Sequence, residues 1–578
     1  MATVHYTSTI QSFIHSRFPS NLTSDVVPAS SNGANILFAY KWTLLCLALL
    51  TPTIYRVLHF FVVKDQPPKG LRLVPGPGST IPYIGRVDID AIAPWNSMKN
   101  WSDKFNGLFR LQACGEMHIW LGDNDVAQEL YCKRAAIYSS RPEVAAVPGS
   151  DSQGQYLPLL EYGDHWRMQR KFAHTVLTTS YNNEYYGYIN LEAKRFLFQL
   201  LKDPLDHFAQ TDRYCGRISA RLSYGSPKSA AAHCKNAAEF IPQISPSASG
   251  PITNIFPFLG ALPEWINTAK IAPRQRRERE ERLWTGLMRQ VREEMENGTA
   301  TVSYARSYFE RRDAAAKDDG RSFGFDEHEA AYAVGMLCTV AIFTIGGPLY
   351  CFFLAMVLHP EWQEKCRAEI DAVVGRDRIV ELSDSPNLPL LRACIKECIR
   401  WRPPVPLGVP RLVQEDDTYE GYFIPKGAVV HAIDLAMARD PAKYPDAETY
   451  NPGRWVEPGY PTYKEPLSVY PRLVGHHGFG RGRRMCPGIE ITEAELLVAC
   501  GSLLWAFTMK PNIGQDGKPQ WPDSKAFTSN VIGGPLPFKF DLKVRDESRK
   551  TKIEELYQQS QVLQDDLVRD PLQAKDGR

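Results

Sequence analysis

Net charge is almost absent from this chain. Its 67 lysines and arginines against 65 aspartates and glutamates leave +2 over 578 residues, so nothing suggests a polyanion-binding surface and a nucleic-acid role has no footprint. Paired cysteine motifs are missing too. The twelve cysteines include no CxxC and no short-range framework, which argues against a disulfide scaffold and against a zinc site. No internal repeat is visible. Apolar residues are plentiful, 44% against 23% charged, the balance of a globular protein with a large core. With pairs set aside, a single cysteine in special surroundings becomes the feature to look for.

Charge is also missing from one early stretch. Ala34 to Tyr55 holds a single charge, Lys41, over a length that can cross the roughly 30 Å hydrocarbon core of a bilayer. Trp42 and Tyr55 stand where interfacial aromatics are expected. The segment starts too late and runs too long for a cleaved signal peptide; a buried core helix is the alternative. Arg17 and Asp25 precede it, whereas Arg56, Lys64, Lys69 and Arg72 follow with one acid, Asp65. The positive-inside rule then leaves the large C-terminal part cytosolic and the N-terminal segment lumenal. There the sequon Asn21-Leu22-Thr23 is open to glycosylation. "VPGPGSTIPYIG", Val74 to Gly85, follows as a stiff Pro/Gly hinge that can be neither helix nor central strand.

Further on, Glu327 to Ile370 is apolar nearly all round until His359-Pro360, as in a buried helix or a second membrane span. Gly346-Gly347-Pro348 predicts a break or kink near its middle. "EGYFIPKGAVVHAIDLAMARDP" predicts a short hairpin followed by a helix, and "RQRREREERLW", Arg274 to Trp284, a solvated helix face. Arg545 to Arg578 predicts a frayed polar tail.

The special cysteine is Cys486, in "GFGRGRRMCPG". Only a thiolate binds metal well, and a cysteine needs help to ionise near neutral pH. Arg481, Arg483 and Arg484 lie just upstream, and Pro487 suits a helix's first turn. Leu496, Cys500, Leu503 and Phe507 recur at helical steps, placing Cys486 at a helix N-terminus whose free amides favour negative charge. Gly480, Gly482 and Gly488 allow a flat object to approach the backbone closely. A thiolate presented to a planar cofactor is one way of holding haem iron. The local residues alone leave a structural cysteine in a glycine-rich turn open.

Phe479-x-x-Gly482-x-Arg484-x-Cys486-x-Gly488 resembles the haem-binding signature of the cytochromes P450. "ECIR" supplies Glu397 and Arg400, and "YNPGRW" supplies Arg454, which resemble the family's ion-pair network. "WRMQR" gives Trp166 and Arg170, and "GVPRLV" gives Arg411, similar to the family's haem-propionate partners. The resemblance runs from about residue 70 to 542. It implies a mainly α fold with small β-sheets, the cytochrome P450 fold, preceded by a single transmembrane helix. The implied divisions are a lumenal segment 1–33, an anchor 34–57, the hinge 58–86, a haem domain 87–544 and the tail 545–578.

The implied activity is that of a haem-thiolate monooxygenase with haem b, its iron held by Cys486. It would oxidise a lipophilic small molecule, in the style of filamentous-fungal secondary metabolism. Oxygen would be the oxidant, with electrons from NADPH–cytochrome P450 reductase, cytochrome b5 being a further donor. The implied location is the endoplasmic reticulum membrane, and Arg472, Arg481 and Arg483 would help form a basic face for the reductase. Substrate would meet "SASGPITNIFPFLGALPEWI", "PPVPLG", "TSNVIGGPL", the loop before Trp166 and the long apolar helix. On that helix the resemblance places the oxygen-side threonine at Thr344 and the small residue at Ala341. The acid expected before the threonine is Phe343 instead. That departure keeps two alternatives open: a haem-thiolate isomerase or dehydratase working without reductase, and a non-catalytic haem-binding protein. Gly453 also stands where the family commonly has an acid.

Overall fold

A computed structural model of the chain describes residues 67–560, apart from 82–83, 183–185, 246–249 and 319–323. Asn21, the anchor at 34–57 and the end of the tail lie outside the described residues. Helices dominate. Those that carry the site are α1 (Asp164–Asn182), α2 (His207–Tyr224), α3 (Ala230–Gln243), α4 (Ile271–Glu296), α5 (Glu327–Leu358), α6 (Pro360–Val373), α7 (Pro389–Trp401) and α8 (Ile489–Ala506).

Helix α5 is the central rod. The Asp326 carboxylate caps it by accepting the Glu329 N–H at 2.8 Å. His359 ends it, and Pro360 starts α6 at the position where a missing N–H costs nothing. From Ala330 onward almost every side chain is buried, against α2, α3, α4, α7 and α8. A helix this apolar is a core element here, mostly buried within the domain. The expected break near Gly346-Gly347-Pro348 does not interrupt the helix, which runs on to Leu358. Pro348 does remove one helical bond, since it has no N–H to give the Thr344 carbonyl.

One sheet delivers a site residue. β1 (Leu108–Ala113) and β2 (Glu116–Leu121) form an antiparallel hairpin. Its turn at Cys114 and Gly115 has φ of 50° and 83°, the left-handed pair that matches strand twist. β4 (Val429–Ala432) runs parallel to β2, and β3 (Arg411–Leu412) antiparallel to β4. The hairpin expected inside the stretch that begins at Glu420 does not pair its two strands with each other. Tyr422–Ile424 turns back on Asp417–Tyr419 through Glu420 and Gly421, at φ 49° and 77°, while β4 joins the other sheet. The helix after it is one turn, Asp434–Met437.

Three other expectations change. The stretch after Val74 is tied to the domain, with Val74 buried and the Arg110 N–H donating to the Pro75 carbonyl at 2.8 Å. The Arg274–Trp284 stretch lies in α4 but is not wholly solvated: Arg276 and Glu280 are buried and paired, with Tyr156 donating to Glu280 at 2.6 Å and Asn236 at 2.7 Å. The tail does not fray at Arg545. Glu547–Gln559 is a helix capped by Asp546 and fastened by Arg549 to Asp371 at 2.7 Å, with Ile553, Leu556 and Tyr557 buried. Its apolar residues are spaced 553, 556 and 557, a stripe that a polar average hides.

Candidate active site around Cys486

The loop that carries Cys486 is shaped by its glycines. Short 3₁₀ turns at His477–Phe479 and Gly482–Arg484 are separated by Gly480, at φ 72°. Gly482 has φ 58°, and a Cβ there would lie 2.1 Å from the Tyr131 carbonyl oxygen. No side chain fits that position without moving backbone. The Cys486 N–H closes the loop on the Phe479 carbonyl at 2.8 Å. Gly488 is the N-cap of α8, so Cys486 sits just ahead of the first turn rather than inside it. A Cβ on Gly488 would meet the Cys486 sulfur at 4.0 Å.

Burial holds the Cys486 thiol above its ordinary pKa. The Gly488 N–H and the Arg170 guanidinium pull the other way without winning. The expected ionisation by Arg481, Arg483 and Arg484 is not found, and the cation that does act on the sulfur is Arg170 from α1. Those three arginines point elsewhere. Arg481 is buried against Asn124, Arg483 is exposed over the Tyr162 ring at 4.9 Å, and Arg484 donates to the Ser139 carbonyl at 2.7 Å and the Leu160 carbonyl at 2.6 Å. A metal ion, not the neighbouring cations, would have to drive deprotonation of this sulfur.

Around the loop four guanidiniums converge. Arg411, placed by β3, donates to the Arg481 carbonyl at 2.7 Å and lies over the Tyr131 ring at 3.7 Å. Arg170, two turns into α1, donates to the Met485 carbonyl. Trp166, one turn before it, is buried with its ring under Arg484 at 4.5 Å. The fourth is Arg141, which donates to the Val409 carbonyl at 2.8 Å and the Pro158 carbonyl at 3.0 Å. Sequence reasoning missed Arg141; it belongs to no recognisable pattern, and only the fold brings it beside Arg411 and Arg484.

No carboxylate pairs with any of the four among the described residues. Burial and then Arg141, Arg411 and Arg170 push Arg484 down to about 8, and burial with Arg411 pushes Arg141 down to about 9. A guanidinium does not release its proton in proteins, so these shifts measure uncompensated charge. Arg484 also keeps a buried Nη1 without an acceptor. A buried cationic nest of this kind fits a group carrying two carboxylates, and a half-accessible cysteine beside it fits that group's metal.

The Glu397 network is a different kind of site. Arg400 grips Glu397 through both oxygens at 2.7 and 2.9 Å, and Arg454 Nε reaches Glu397 Oε1 at 2.9 Å. The Trp455 indole N–H and the Asn451 backbone N–H add bonds at 2.9 and 3.0 Å. All three charged side chains are essentially inaccessible. Every acceptor and donor is used inside the fold.

Above the cysteine loop, Ala341, Phe343, Phe479 and Cys486 border one apolar core. Thr344 Oγ1 donates to the Val340 carbonyl at 2.7 Å. The segments assigned to substrate meet near here: the Gly533 N–H donates to the Pro404 carbonyl at 2.8 Å, a Cβ on Gly347 would meet the Gly533 carbonyl at 3.4 Å, and Val531 N–H donates to Ser245 Oγ at 2.9 Å. Asn254 ties the Ala146 N–H into the same wall at 3.0 Å.

Comparison with known proteins gives a consistent picture. The family model described as "Cytochrome P450" matches residues 75–535. The cytochrome P450 monooxygenase virE of Hypocrea virens is 30% identical over 502 residues, 85% of this chain and 89% of the relative. The cytochrome P450 monooxygenase psoD of Aspergillus fumigatus is 31% identical over 497 residues, 84% and 92% respectively. Among solved structures, a zebrafish cytochrome P450 with progesterone superposes with a TM-score of 0.64 at 19% identity, covering 78% of this chain and 99% of that one. At that identity the likeness speaks for the fold alone.

Proposed function

The chain belongs to the cytochrome P450 family and is an oxidoreductase, a monooxygenase; from that premise we propose a membrane-anchored haem-thiolate enzyme. It oxidises a lipophilic small molecule of fungal secondary metabolism with O2 and electrons from NADPH through a reductase. The carrying observation is the nest of four arginines without a carboxylate beside Cys486. Cys486 would hold the iron of haem b, and Arg141, Arg170, Arg411 and Arg484 would hold its propionates. Bound haem supplies oxygen activation, which thiolate ligation favours.

The chain's own residues position and deliver. Phe343 and Ala341 shape an apolar floor under the segments that meet at Gly533 and Pro404. The Thr344 hydroxyl, held on Val340, turns to present its proton on the oxygen side. The Thr344 carbonyl receives no helical N–H from Pro348, which leaves it able to accept a hydrogen bond from water or substrate. Thr344→Val should leave the melting temperature within about 2 °C, because one half-buried hydroxyl bond to the helix's own backbone is removed by a side chain of the same shape. Substrate oxidation should fall about tenfold or more relative to NADPH consumption. Equal coupling in variant and parent would remove Thr344 from the reaction.

Phe343 and the Val340-bound hydroxyl also favour a second reading, a haem-thiolate isomerase or dehydratase that needs no proton relay. Turnover of the accumulated pathway intermediate by microsomes without NADPH would select it. An absolute NADPH requirement selects the monooxygenase.

A further inference from the structure

Outside the Cys486 site, a cleft of about 130 Å³ opens beside the Glu397 network, far below the ~300–1,000 Å³ of a drug-sized pocket. Lys396, Lys443, Lys464, Trp455, His476 and His477 line it, and none of its lining residues is acidic. The three ammoniums repel one another. Lys396, on α7, is pushed down to about 8 by burial and by Lys464 and Lys443, with Glu493 opposing. Lys443 is lowered by burial, Arg481 and Lys464, with Asp440 opposing. Lys396 donates to the Arg472 carbonyl at 2.6 Å and stands 4.5 Å from the centre of the Trp455 ring. Among the described residues no carboxylate lies within ion-pair distance of any of the three.

His476 supplies a second, independent observation. His476 Nδ1 accepts the Gly478 N–H at 3.1 Å, which fixes the ring proton on Nε2. That Nε2–H is buried and has no acceptor, and the residue is only 5% exposed. His477, 7% exposed, is held by its Nδ1–H on Asp434 and adds no donor to the cleft. An unmet buried donor on His476, in a cleft lined by three lysines and no acid, is costly. One anion in the cleft relieves that donor and the three cations together.

We propose that this cleft binds a phosphate group. A tetrahedral oxoanion accepts donors from several directions, and three ammoniums with the His476 N–H exceed what one carboxylate can use. The cleft adjoins the start of the cysteine loop at His476 and His477, but none of Cys486, Arg141, Arg170, Arg411 and Arg484 lines it, so the proposal does not depend on the haem reading. Lysines rather than arginines line it, which suits a compact charge over a planar fork.

Isothermal titration of the full-length holoprotein with inorganic phosphate, at constant ionic strength against chloride, tests this. One saturable site is expected, weakened at least tenfold in K443Q/K464Q, whose two lysines are exposed and can change without refolding. Adenosine monophosphate in a second arm distinguishes esterified from free phosphate, and saturable binding in either arm supports the site. No saturable heat in either arm, or equal affinity in parent and double variant, overturns it. So does unchanged phosphate affinity with slowed electron acceptance from a reductase, which would assign the lysines to docking an acidic protein.

Discussion

Two groups of arginines behave oppositely in this molecule. Arg400 and Arg454 share Glu397 and a set of backbone carbonyls, and their charge is closed within the fold. Arg141 and Arg411 are buried too and Arg170 and Arg484 half-buried, yet they have only carbonyls and aromatic faces to answer them. Burial alone therefore does not tell structure from function. The presence or absence of a compensating carboxylate does, because a fold that keeps uncompensated cations inside has left a place for an anion.

The comparison breaks most sharply at Glu397. Glu397→Gln strands two buried guanidiniums, and should cost on the order of 3–5 kcal/mol in the haem-loaded and haem-free forms alike. Thermal unfolding of both forms checks it; a loss confined to the loaded form would move the network into the cofactor site. Arg484→Met should do the reverse. Removing an uncompensated cation leaves the haem-free protein as stable or more so. Haem transfer to an acceptor globin should accelerate at least tenfold, about 1.4 kcal/mol. An equal stability loss with and without haem would make Arg484 a fold-holding residue instead.

A smaller effect sharpens the rule with the opposite sign of charge. Glu495, on α8, is buried with an unpartnered oxygen, and burial raises its carboxyl from 4.5 to about 8. Folded protein then keeps a proton that unfolded protein has lost, so stability declines from about pH 4.5 to 8 and levels above. Glu495→Gln should erase that decline and gain about 1–3 kcal/mol at pH 8. Parallel pH profiles for parent and variant would mean the carboxyl is compensated by something else.

These contrasts were only partly legible in the sequence. Cys486 and its glycines could be read locally, because φ above zero and close backbone approach leave glycine spacing as their mark. Glu397 and Arg400 could be read as one helical step. Arg141 could not, since residues 141, 170, 411 and 484 meet only through β3, α1 and the cysteine loop. Arg481 misled for the same reason: proximity along the chain suggested help for the sulfur, and Asn124 took the side chain instead. The helix after Asp546 was hidden by charge, although three apolar residues on one face were enough to dock it.

Ligation of haem iron by Cys486 is tested most directly by the reduced carbon monoxide spectrum of the purified protein, compared with that of Cys486→Ser. The parent should show the red-shifted Soret band of thiolate ligation, and the variant should lose that band while far-ultraviolet dichroism stays the same. A parent band at the position of histidine-ligated haem, or a serine variant with the parent's spectrum, would contradict the assignment.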